Sequence, residues 1–318
     1  MNQLNRLLAA GGLAALVSAL LLVPSAPGKI SGTNGRIAFE RGDGFVFTVN
    51  PDGSNLRQLV PYQTCCAHWS PDGGKISIGA LTDDGRITTA TVNPDGSNYE
   101  VKTIPDPTLN LGCGAWSPDG DRFACEGWDD VRPDRPAGLF SVRTADFGGL
   151  VRLTTNPYGG HDIPGDYSPD GTRIVFLRDN PLQPQGQTAV FVANSDGTSL
   201  RQITPWALTG CCSVSWSPDG TTILFSAAPG SDRAGARRSL YAVNPDGSDL
   251  RKIPVDLDGR FSAFVAGWSP DGERIGFTLC RAQCDIYTMK RDGTDVVQVT
   301  NTPEFKEFDD WGTSPVTP

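Results

Sequence analysis

Histidine is almost missing from this 318-residue chain; only His68 and His161 are present. So few imidazoles argue against a histidine-rich metal centre and against the metal-dependent lyase chemistry that such a centre supports. No Gly-x-Ser-x-Gly elbow, Walker loop or dinucleotide glycine fingerprint occurs, and no hydrolase-like segment follows the repeats described below. Basic residues are outnumbered: 27 Lys and Arg face 36 Asp and Glu, for a net charge of −9. The general field of such a chain does not suit nucleic acid or an anionic membrane surface. A basic partner, a neutral glycan or a cation matches it better. Helical periodicity is absent beyond the N-terminus, and so is any further long apolar run.

The chain begins "MNQLNRLLAAGGLAALVSALLLVPSAPG". Arg6 supplies a positive start, Leu7 to Val23 carries no charge, and small residues follow. This is the pattern of a secretory signal, with cleavage expected near Ala26. Residues 1–28 are therefore predicted to be a signal peptide, or an uncleaved N-terminal anchor, and residues 29–318 the mature domain. The run is marginal in length for a membrane span. No cysteine stands near its end to take a lipid. The expected location is periplasmic, cell-envelope or secreted, and a retained N-terminal segment would be the one membrane contact.

What the chain has in quantity is glycine (37) and proline (25), and both recur in a fixed context. "WSPDG" occupies 69–73, 116–120, 216–220 and 268–272, with "YSPDG" at 167–171. A second turn alternates with it: "NPDGS" at 50–54, 93–97 and 244–248, "NSDGT" at 194–198, and "KRDGT" at 290–294. Proline presets φ for the first corner, aspartate accepts local backbone hydrogen bonds, and glycine takes the left-handed conformation that follows. Both motifs therefore read as tight β-hairpins. The intervening segments alternate as strands do, as in "RIAFE" (36–40), "KISIG" (75–79), "RFACE" (122–126) and "RIVFL" (173–177).

Four-stranded units at this period predict an all-β, six-bladed β-propeller. The first and last segments share one blade: residues 36–40 lack a leading strand, and "FDDWGT" (308–313) lacks the rest. Trp311 takes the place of the repeated tryptophan, so the C-terminal strand is expected to pair beside Ile37 and close the ring. The repeated tryptophans are expected to pack between blades.

These units resemble the TolB-type propeller repeats, whose hallmark is the WSPDG turn, across residues 36–313. No Gly-His…Trp-Asp pairing recurs, which separates them from WD repeats. TolB proteins of the Tol envelope system are periplasmic and carry a sizeable N-terminal domain. About thirty residues, mostly the signal, precede the repeats in this sequence.

Strand order assigns the two faces. With strands A to D running outwards, both tight turns fall on one face. The B–C loops and the links between blades fall on the other, including 127–137, 179–188 and 228–238. Long loops on a rigid scaffold are where binding sites concentrate. Residues leading into strand A should ring the channel mouth on that face. This makes Cys65, Cys66, His68, His161, Asp162, Cys211, Cys212, Asp309 and Asp310 the candidate binding residues. His161 and Asp162 could also form an acid–base pair, although a loop-closing hydrogen bond is the simpler expectation. Asp129, Asp130 and Asp134 could gather a cation, with a solvated loop as the simpler expectation.

Eight cysteines in an exported chain point to disulfides. Cys113 and Cys125 flank a turn and could face each other across strands A and B, and Cys280 and Cys284 could bridge a short loop. Cys65–Cys66 and Cys211–Cys212 enter opposite blades, too far apart to cross-link, so each is expected to form a vicinal disulfide. Zinc is the rival reading, but adjacent cysteines lack chelate spacing. No catalytic residue, cofactor or metal is assigned. The expectation is an exported, monomeric, non-catalytic propeller binding a protein partner, or a glycan or other ligand, around its channel. The alternatives are a carbohydrate-active or other enzyme using the channel-mouth residues, and a sugar-binding envelope protein.

Overall fold

The computed structural model describes residues 32–132, 134–183, 187–229 and 237–314, without the side chains of Cys211 and Cys212. The signal-peptide expectation for 1–28 lies outside the described residues, as do parts of the loops 127–137, 179–188 and 228–238. No helix among the described residues is long and apolar enough to cross a membrane.

Six four-stranded antiparallel sheets form, each with a hairpin order from the axis outwards. Blade 1 runs from β24 (Lys306–Thr313) through β1 (Asn34–Arg41) and β2 (Phe45–Val49) to β3 (Arg57–Gln58). Blade 2 is β4 (His68–Trp69), β5 (Ile76–Leu81), β6 (Ile87–Val92) and β7 (Glu100–Val101). Blade 3 is β8 (Leu109–Trp116), β9 (Arg122–Asp129), β10 (Gly138–Arg143) and β11 (Val151–Arg152). Blade 4 is β12 (Asp162–Tyr167), β13 (Arg173–Asn180), β14 (Gln187–Asn194) and β15 (Arg201–Gln202). Blade 5 is β16 (Leu208–Trp216), β17 (Ile223–Pro229), β18 (Ser239–Val243) and β19 (Arg251–Lys252). Blade 6 is β20 (Ser262–Trp268), β21 (Arg274–Cys280), β22 (Cys284–Lys290) and β23 (Val297–Gln298). The innermost strands touch in a circle: β24, β4, β8, β12, β16, β20 and β24 again. The expected closure of the ring and the blade number hold.

The first repeated turn is built by its own side chains. Gly73 donates its N–H to the Ser70 carbonyl over 2.9 Å, with φ at +69°. Ser70 Oγ donates to Asp72 Oδ1 and accepts from the Lys75 N–H, while Asp72 Oδ1 also accepts from the Gly74 N–H. The second turn adds a packing demand: a Cβ on Gly53 would lie 2.5 Å from the Val299 carbonyl oxygen of blade 6. Glycine is thus required there both by φ (+80°) and by the neighbouring blade.

The core lies between blades. Trp216 of blade 5 packs with Val175, Leu177, Val190 and Val192 of blade 4. Trp268 packs on blade 5, Trp69 on blade 1, and Trp311 on blade 6. Outermost strands are only two residues long. A short edge strand offers little template for pairing with another chain.

Inner strands are not regular. Register shifts interrupt five of the six: β24, β8, β12, β16 and β20. The residues left out of register include Asp309, Gly114, Gly165, Ser213 and Val265. A bulge of this kind bends the strand and re-aims a side chain.

Candidate functional site

Those bulged residues all face one cavity. It fills the central channel, has a volume of about 330 Å³, and receives residues from every blade, including Glu40, Cys65, Gly112, Ile163, Ser213 and Val265. Towards the tight-turn face it narrows to a recess of about 40 Å³ lined by His68, Asp166 and Asp310.

The walls differ in chemistry. Blade 1 supplies Glu40, Glu307, Asp309 and Asp310. Ile87, Trp128, Ile163, Val265 and the Cys65–Cys66 disulfide supply apolar surface from four other blades. Among the described residues, no lysine or arginine lines the cavity.

Two of the channel carboxylates hold the ring together. Asp310 Oδ2 accepts the Trp69 N–H of blade 2 over 2.9 Å. Asp166 Oδ2 accepts the Trp216 N–H of blade 5 over 2.9 Å. Ser213 does similar work between blades 5 and 6, its Oγ accepting the Ala266 N–H over 2.8 Å.

Of the other three carboxylates on blade 1, Asp309 likewise accepts a backbone N–H from the segment entering blade 2, that of Ala67. Glu40 and Glu307 are register partners across β1 and β24. Burial raises the pKa of each, the Glu307 charge raises Glu40 further, and Arg238 draws Glu307 back down. The Asp309 pKa is raised well above its ordinary value, first by burial and then by Glu40, against the Ala67 N–H that it accepts. Its Oδ2 is buried and has no hydrogen-bond partner.

Of the residues expected at the mouth, Cys65, Cys66, His68, Asp309 and Asp310 line the cavity. Cys66 is exposed and sits at φ +64°. Asp162 does not belong to the channel. It is fully buried, and it binds Arg178 Nε and NH2 at 2.7 and 2.6 Å and Thr154 Oγ1 at 2.5 Å. An ionised residue at that position needs a cation, and Arg178 beneath it supplies one. His161 is set outside the channel as well, and its partner is Glu126, not Asp162. That contact raises the His161 pKa against the burial that lowers it. His161 stands edge-on to Trp128 at 5.8 Å and lines a separate depression of about 380 Å³ with Asn156 and Arg135. The backbones of Cys211 and Cys212 belong to β16, but their pairing lies outside what is described.

The Cys113–Cys125 and Cys280–Cys284 disulfides join residues directly opposite in register. The acidic loop of blade 3 is not a cation site: Asp129 is bound by Arg132 at 2.8 Å, and Asp130 accepts from Asn110. No group of three or more metal-capable side chains is placed to hold a metal ion among the described residues. Glu40, Glu126, Trp128 and Glu307 were not singled out from sequence. The available signal was a charged residue closing "RIAFE" and "RFACE", where the other repeats end in Gly79, Leu177, Ser226 or Thr278.

No family model matches the chain. An uncharacterized protein of Agrobacterium fabrum is 27% identical over 213 residues, covering 65% of this chain and 67% of that one. TolB from Acinetobacter baumannii superposes with a TM-score of 0.66 at 18% identity, over 92% of this chain and 69% of that one. A putative TolB from Agrobacterium tumefaciens gives 0.64 at 16% identity, over 86% and 97%. A puromycin hydrolase also superposes, at 0.53 and 16% identity, over 92% of this chain but 48% of its own. The fold is that of a TolB-like six-bladed propeller, and its relatives in shape include an enzyme.

Proposed function

We propose that this TolB-like propeller is an exported binding protein that engages a protein partner through its loop-bearing face, around the channel mouth. One observation carries the reading. Leu81, Val131 and Leu182 stand 60%, 71% and 77% exposed, each where the B–C connection begins in blades 2, 3 and 4. Large apolar side chains grouped in one sector of a face mark a surface that another protein covers. The opposite face carries turns whose polar groups are largely satisfied within each turn. The Cys65–Cys66, Cys113–Cys125 and Cys280–Cys284 disulfides suit an oxidising compartment.

The test is site-specific photocrosslinking in the native cell. A crosslinker at Val131 or Leu182 is expected to capture a protein that one at Leu250, beside a tight turn, does not. Equal capture from Leu250, or none from the loop face, would overturn the reading.

A second reading has its own observation. The Glu126–His161 pair beside Trp128 could serve a carbohydrate-active enzyme as acid and base. Turnover of a polysaccharide that is lost in His161→Ala would replace the first reading with this one.

A further inference from the structure

We infer that the channel cavity binds an organic cation, an ammonium or guanidinium group carried on an apolar body. The inference rests on the channel mouth being the ligand site of the proposed binding function, and it names the chemistry of what enters.

The first support is a local conflict. Register places Glu40 directly opposite Glu307. Like charges directly opposite on antiparallel strands destabilise a sheet. A third carboxylate, Asp309, occupies the bulge on the same strand. The corresponding bulges of blades 3, 4 and 6 hold Gly114, Gly165 and Val265. Three other blades form the bulge without an acid, and in blade 1 the acid stands on the strand that also sets Glu307 against Glu40. Departures from local consistency of this kind gather at functional sites.

The second support is independent of charge. Asp309 Oδ2 is buried with no donor, although it belongs to a residue that lines the cavity. An unpaired buried acceptor costs about 1–3 kcal/mol. The atom itself has no exposed surface, and a turn of the side chain towards a donor in the channel would remove that cost.

The remaining features select the kind of cation. No metal-capable group of three is assembled among the described residues, so a bare divalent ion lacks its ligand set. An ammonium brings three donors and a guanidinium five, which suits several separated carboxylates. Ile163 of blade 4 across the channel, with Val265 and the Cys65–Cys66 disulfide from the two blades that flank blade 1, offers apolar contact to whatever carries the charge. A volume of about 330 Å³ accommodates a small molecule or one long side chain.

The test is calorimetric titration of the purified chain with n-hexylammonium and hexylguanidinium chloride, set against 1-hexanol, hexanoate and calcium chloride. Both cations are expected to bind at least tenfold more tightly than 1-hexanol, with no binding of hexanoate or calcium. Glu307→Gln, Glu40→Gln and Asp309→Asn are each expected to weaken the cations about tenfold, while Glu100→Gln on an outer strand leaves them unchanged. Thermal melts identify any variant that fails to fold, and the remaining two then carry the comparison. Cation binding no better than that of 1-hexanol, or variants that bind as the parent does, would overturn the inference and leave the channel standing as an apolar site. If neither the cations nor the alcohol bind, the inference fails with the channel site, while crosslinking from the loop face decides the protein partner separately. Calcium binding lost in the same variants would assign the acids to a metal and also overturn it.

Discussion

Trp311 stands in register with Ile37, so the last strand completes the sheet that the first begins. Its indole Nε1 donates to the Gly35 carbonyl over 3.2 Å, and its ring fills the seam against Val265, Ile286 and Val299. Trp311→Ala removes a side chain that is 1% exposed and is expected to cost about 3–5 kcal/mol. Urea unfolding measures it. A loss below about 1 kcal/mol would mean that the seam is not held there.

Asp309 sets a pH dependence with a definite sign. Burial and Glu40 raise its folded pKa above that of the unfolded chain. Such a group contributes stability that is full below about pH 4 and lost as the pH rises through its folded value. Asparagine keeps the neutral shape at every pH. Asp309→Asn should therefore equal the parent near pH 4 and exceed it increasingly towards pH 8 in urea melts. Parallel stability curves would refute the buried-proton account.

Asp162 behaves as a structural residue in this geometry. Its side chain is 0% exposed and that of Arg178 3%. Asp162→Ala leaves a guanidinium buried without its counter-charge, at a cost of about 3–5 kcal/mol. Titration of the folded variant with n-hexylammonium is expected to match the parent. A selective loss of binding at full stability would return Asp162 to the site.

The disulfides should open in order of access. Cys66 is exposed, whereas Cys113 and Cys125 are 7% and 0% exposed. Graded reduction followed by thiol labelling and peptide mass analysis is expected to mark Cys65 and Cys66 first and Cys113 and Cys125 last. Replacing Cys113 and Cys125 together by serine should cost about 3 kcal/mol, since that bridge closes the longest loop of the three.

The ring itself was legible because each turn declares its conformation in residue type. Ser70, Pro71, Asp72 and Gly73 specify one backbone path through local bonds, and the same path recurs wherever those residues do. Cys113 opposite Cys125 was readable for a similar reason: a tight turn fixes the pairing on either side of it. The acid wall was not readable. Glu307 meets Glu40 only across the closure of the ring, and Asp309 projects only because a bulge shifts the register there. Asp162 opposite Arg178 follows from its hairpin in the same way as Cys113 opposite Cys125, but no sequence says that Glu126 from the preceding blade reaches His161. The acid wall and the Glu126–His161 pair depend on contacts between distant segments, which composition and spacing do not encode.

The irregular inner strands divide the molecule's labour. An out-of-register residue bears no cross-strand partner, so its own sheet does not dictate its identity; the neighbouring blade does, as where Gly165 leaves no room for a Cβ against Val214 and Ser213 bonds Ala266. Glycine, valine, serine and aspartate already occupy such places in one chain. The channel lining is thus set blade by blade, each socket answering to the neighbour that stands against it rather than to the repeat that carries it.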